Sequence, residues 1–75
     1  MNVYVPVSCE FYDRLEELVI RKRKVSLEVS ENPEVQSRKL DNVMVLDLTS
    51  MNREEFAVLE NGEKIRLDHI LKIIS

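Results

Sequence analysis

The sequence predicts a mostly-β α+β domain: an N-terminal helix, then a strongly bent antiparallel sheet forming a small barrel. Three observations carry this reading. Apolar residues recur at the helical period early in the chain and at period two after Lys24. An Asn61-Gly62 pair marks a hairpin late in the chain. The length of 75 residues allows one domain, 1–75, with one thin core, because a chain of this size hides only about 60% of its unfolded surface.

The elements follow in order. Residues 1–7 are largely β-branched or aromatic, and Pro6 pushes Val5 towards extended backbone. Phe11, Leu15, Leu18 and Val19 then form an apolar stripe at helical spacing. With Ser8 as N-cap, this predicts a helix over residues 8–21. Glu10, Asp13, Glu16 and Glu17 fall opposite the stripe, and Ile20 outside it places the helix end near residues 20–22. Val25, Leu27 and Val29 alternate with Ser26, Glu28 and Ser30, as in a half-buried strand. Residues 30–39 are polar, include Pro33 and read as a loop, expected to be the most mobile internal segment. A second strand, apolar on both faces, is expected from Val43 to Leu48, with a turn over residues 50–53. A third is expected from Phe56 to Leu59. Positive φ is expected at both Asn61 and Gly62. Ile65 and Leu67 mark a fourth strand, and Ile70, Leu71, Ile73 and Ile74 a fifth strand or closing turn. The expected core is Phe11, Leu15, Leu18, Val25, Leu27, Val29, Leu46, Leu48, Phe56, Val58, Ile65 and Leu67.

An open five-stranded sheet would expose two long edges that template aggregation. Curling it into a barrel with the helix plugging one end or flank avoids this. That is the layout of an Sm-like or OB-like barrel, and the helix-first order favours the Sm-like form.

The chemistry-bearing residues are few. One cysteine cannot form an internal disulfide, which favours a reducing compartment. No apolar run approaches the ~20 residues that span a bilayer. Residues 1–4 carry no basic stretch followed by an apolar one, so the expected location is cytoplasmic. His69, the single histidine, has no Cys or His at metal-ligand spacing and is expected to be structural. Cys9 has acidic neighbours that make it a poor nucleophile, so a packed, inert thiol is expected. One glycine excludes a Gly-rich phosphate-cradling loop, and no serine lies in a nucleophile elbow. The expectation is a protein without catalytic activity, metal or cofactor.

Two charged features remain. Arg21-Lys22-Arg23-Lys24 could grip phosphate or an acidic partner, or simply complement the C-terminal end of the helix dipole. Net charge −3 argues against a bulk preference for nucleic acid. Glu10, Asp13, Glu16 and Glu17 could be a solvated face, with the first two favoured by the dipole. Tyr12, which borders the core stripe beside Glu16, is the residue that could turn this face into a protein-binding anchor.

The run Tyr4-x-Pro6-Val7-x-Cys9-x-x-Tyr12-Asp13-x-Leu15-Glu16 closely resembles the opening of the Rho-binding antiterminator family, Rof. Glu55-Phe56-Ala57-Val58-Leu59 and Ile65-Arg66-Leu67-Asp68-x-Ile70 look like that family's last hairpin. The polar loop at 30–39 is longer than the family's usual tight turn. The resemblance implies an Sm-like fold and an inhibitor that binds the transcription termination factor Rho and blocks its RNA site. It implies that Tyr12, Asp13 and Glu16 make the contacts. Glu10 and Glu17 complete the candidate partner-binding set, and the chain is expected to be a monomer when free. The rivals are an RNA-binding Sm-like module using residues 21–24 with Arg38 and Lys39, and a structural subunit that assembles through barrel edges.

Overall fold

The computed structural model describes residues 3–31 and 36–74. Helix α1 spans Cys9–Arg21. Ser8, in extended backbone, caps it by accepting a hydrogen bond from the Phe11 N–H at 3.1 Å. The helix ends at Lys22, whose left-handed backbone (φ 53°) turns the chain into the sheet. Leu15 and Leu18 are buried, with Phe11, Tyr12 and Val19 packed against the core beside them. Five antiparallel strands follow: β1 Lys24–Val29, β2 Arg38–Met51, β3 Glu54–Leu59, β4 Lys64–Arg66 and β5 Ile70–Ile74. Their spatial order is β4-β3-β2-β1-β5, and a 3-10 turn at Leu67–His69 separates β4 from β5. The class is α+β and mostly β. The outer strands β4 and β5 are not hydrogen-bonded to each other, so the sheet is open.

β2 is longer than expected at both ends and is the organising strand. Its first part pairs with β1 and its second with β3. Two irregularities divide it. Between the pairs Leu27↔Leu40 and Val25↔Val43 it carries one extra residue, with Asn42 at φ 55°. Between Val45↔Leu59 and Asp47↔Val58 it carries another. Each bulge bends the strand and shifts which parity faces the core. The core-facing side chains of β2 are therefore Leu40, Val43, Val45 and Leu48, not an alternating set.

This corrects the expected core. Leu46 is 51% exposed because it is the extra residue of the second bulge. In β3 the inward residues are Ala57 and Leu59, while Phe56 and Val58 are half-buried outside the core cluster. Both faces of β3 are apolar, so alternation alone does not choose between them. Leu71 is also exposed, at a slip between the pairs Glu28↔Lys72 and Val29↔Ile70. The remaining core is Leu15, Leu18, Val25, Leu27, Val29, Ile65, Leu67 and Ile70. Of the expected loop, residues 32–35, including Pro33, lie outside the described residues, and residues 38–39 belong to β2.

The two hairpins exchange roles relative to expectation. β2 and β3 meet at a two-residue turn, Asn52-Arg53, with φ 54° and 65° and flanking pair Met51↔Glu54. Positive φ at both positions is the primed turn that suits strand twist. In the Asn61-Gly62 hairpin only Gly62 has positive φ, at 92°. There the Gly62 N–H donates to the Leu59 carbonyl at 2.9 Å and Leu59 N–H to the Glu63 carbonyl at 2.8 Å. This is a three-residue loop closed by a left-handed glycine. Arg53→Gly is expected to raise the thermal midpoint by roughly 4 °C, since it removes a side chain from left-handed backbone. Scanning calorimetry of the variant checks this.

Residues 3–5 strap across the β4 end of the sheet. The Arg66 guanidinium lies 5.6 Å from the centre of the Tyr4 ring, and Val5 N–H donates to Asp68 Oδ2 at 3.0 Å. Tyr4 donates its hydroxyl to Glu55 Oε1 at 2.9 Å. Burial first, then that hydrogen bond, pushes the Tyr4 hydroxyl up to about 12. A folded value above the ordinary 10 means its contribution is complete below about pH 10 and lost as pH rises towards 12. Denaturant midpoints are expected to fall across that window, and less steeply in Tyr4→Phe.

Candidate functional site

The helix flank that faces β2 is where the candidate residues come together. Tyr12 is half-buried against the core, so its ring is fixed while its edge reaches the surface. On one side it lines a shallow groove with Glu16, Val19, Ile20, Asp47 and Leu48. On the other it lines a second groove with Val7, Cys9, Asp13 and Glu55. Burial raises the Tyr12 hydroxyl above its ordinary range, and the charges of Glu55, Glu16 and Asp47 push it the same way. The result is a tyrosine ringed by carboxylates from three elements.

The five expected site residues are divided by this arrangement. Tyr12, Asp13 and Glu16 border the two grooves. Among the described residues neither Asp13 nor Glu16 has an ion-pair partner. Glu17 lies on the other flank, 3.7 Å from Arg21 and beside a pocket it shares with Arg14 and Arg23. Glu10 is exposed in the first turn and lines neither Tyr12 groove. Asp47 and Glu55, absent from the sequence-based set, join the site through the sheet. Nothing local marks them: Asp47 interrupts an apolar run immediately after a bulge that no period reveals.

The cations of the rival reading are largely matched by acids. Arg21 faces Glu17 at 3.7 Å, Lys24 faces Glu60 at 3.5 Å and Lys39 faces Asp41 at 3.6 Å. Arg38 is held at 3.0 Å by both Glu31 and Glu63. Its hydrogen bond in turn lowers the Glu63 carboxyl below the usual range. Exposed pairs of this kind contribute little stability, but each reduces the local positive potential. Lys22 and Arg23 have no ion-pair partner among the described residues.

Cys9 is exposed at the first helical position, not packed. The stripe that buries Leu15 and Leu18 passes it by. His69 sits in the 3-10 turn with a mostly buried side chain; its Nε2 lacks a hydrogen bond and lies 3.9 Å from Asp68 Oδ1. That carboxylate is already engaged by Arg66. Among the described residues, no three His, Cys, Asp or Glu side chains are grouped to hold a metal ion. No helix among them is long and apolar enough to cross a membrane.

Fold and site define a small α+β domain that presents an anchored tyrosine among carboxylates on the flank of helix α1. No protein-family model matches the chain, and no significant match exists among curated proteins or solved structures.

Proposed function

We propose that this chain is a protein-binding inhibitor of Rho-dependent transcription termination, acting in the cytoplasm as a monomer without catalysis, metal or cofactor. In this reading the bent sheet with order β4-β3-β2-β1-β5 is an Sm-like barrel left open between β4 and β5, and the Tyr12 flank of α1 occupies Rho's RNA-binding site. The observation that carries the proposal is Tyr12 held against the core with Asp13, Glu16, Asp47 and Glu55 around it. An RNA-binding cleft must be electropositive, and carboxylates use the same Lys and Arg groups that bind phosphate. Glu10 and Glu17, further round the helix, add long-range attraction and speed the encounter. The RNA-binding alternative through residues 21–24 is less well supported, because Arg21 and Lys24 already face acidic side chains. Co-purification with Rho, with and without competing RNA, tests the proposal. Capture that RNA displaces and that weakens with salt is expected; capture of RNA by the chain alone would overturn it.

A further inference from the structure

The groove between α1 and β2 has a composition suited to one side-chain chemistry. Its apolar surface comes from Val19, Ile20 and Leu48, and its carboxylates from Glu16 on the helix and Asp47 on the strand. Its volume is about 150 Å³, which suits a single side chain and not a peptide. Among the described residues neither Glu16 nor Asp47 has a cationic partner. Among the described residues Asp47 Oδ1 accepts only from the adjacent Leu48 N–H, at 2.9 Å, and its other oxygen has no partner. Ile20, 78% exposed, leaves a large apolar surface at the lip of an otherwise acidic depression.

We propose that this groove is a receptor for one arginine side chain of the protein partner. The arginine stem would cover Ile20, Val19 and Leu48 while its guanidinium lies between Glu16 and Asp47, beside the Tyr12 ring. Arginine suits the groove better than lysine. Its long apolar stem covers hydrophobic surface, its planar head offers several donors to two carboxylates, and it stacks on aromatic rings. Charge complementarity sets the class of occupant: a cation is needed to match two unpartnered carboxylates, and an apolar stem to cover Ile20. The burial and negative charge acting on Tyr12 support the same sign of ligand. The inference deepens the proposed function, since it names the contact by which a basic cleft would be held.

The full-length chain is titrated with an acetylated Gly-Arg-Gly amide and followed by methyl NMR, with the citrulline counterpart as control. The expected result is shifts confined to Val19, Ile20 and Leu48 with arginine, absent with citrulline, and lost in Asp47→Asn with Glu16→Gln. Shifts that are absent, spread evenly over the surface or equal for citrulline overturn the proposal. A second arm measures Rho binding by Asp47→Asn and Ile20→Ser, both surface changes. A loss of roughly tenfold or more in each supports the groove. Tight Rho binding by both variants overturns the groove and leaves the Rho reading standing. Arginine-specific shifts in a chain that does not bind Rho overturn that reading and support a receptor for another arginine-bearing protein.

Discussion

Alanine at Asp68 is expected to cost about 1.5–3 kcal/mol of folding stability, because it removes one partner of a part-buried, doubly hydrogen-bonded ion pair. Arg66 donates to Asp68 from Nε at 2.6 Å and from Nη2 at 2.8 Å, and the two side chains are only 11% and 10% exposed. Val5 N–H uses the same carboxylate, so the strap at residues 3–5 loses its backbone anchor too. Glu54, 3.4 Å from Arg66, remains as a weaker partner and limits the loss. A domain of this size has a total stability of about 4–11 kcal/mol, so the variant is expected to lose a substantial share of it. Denaturant titration of the variant measures the effect; a loss under about 1 kcal/mol would show the pair to be solvated.

The same pair contributes to the acid limit of stability. Burial alone would raise the Asp68 carboxyl, but hydrogen bonds from Arg66 and the Val5 N–H, with the Arg66 charge, hold it below the usual carboxylate range. A folded value below the unfolded one gives stability that is present above about pH 4 and lost as pH falls through the folded value. Asp68→Asn is expected to flatten the acid limb of the stability profile while lowering its plateau.

Under the proposed function, charge reversal at both Asp13 and Glu16 is expected to weaken Rho binding by roughly a hundredfold or more. Each charged hydrogen bond lost at an interface costs about 1.5–3 kcal/mol, and ~1.4 kcal/mol is a factor of ten. Both side chains are exposed and neither belongs to the core, so Asp13→Lys with Glu16→Lys opens no cavity. Its circular dichroism and thermal midpoint are expected to match the parent. Neutralising residues 21–24 is expected to leave Rho binding unchanged or slightly tighter, because those cations would repel a basic cleft. Calorimetric titration of Rho with both variants decides between the surfaces. Loss of binding in the neutralised variant, with binding retained in the reversed one, would transfer the function to the cationic run.

Some of this was legible one residue at a time. Ser8 caps the helix because a hydroxyl can accept from the N–H three residues on, and Leu15 and Leu18 are buried because their spacing matches one helical face. Gly62 takes the left-handed position of its hairpin because it lacks a Cβ. The alternation of β1 placed Val25, Leu27 and Val29 inward, as observed. These features depend on a few adjacent groups, so local chemistry is sufficient to determine them.

Other features belong to the assembled chain. The inward set of β2, at 40, 43, 45 and 48, follows two bulges, and no fixed period describes it. β3 turns Ala57 and Leu59 inward although Phe56 and Val58 are equally apolar, because pairing with the bent β2 fixes its parity. Tyr4, Arg66 and Asp68 look in the sequence like parts of two distant motifs; in the fold they form one cluster that fastens the strap. Likewise the helix alone supplies Tyr12, Asp13 and Glu16, while the carboxylates of Asp47 and Glu55 arrive only when the sheet folds beneath it. Side-chain period and capping are short-range properties encoded in neighbouring residues. Bulge placement, strand parity and the meeting of distant carboxylates depend on contacts between elements, which exist only once the chain has closed on itself.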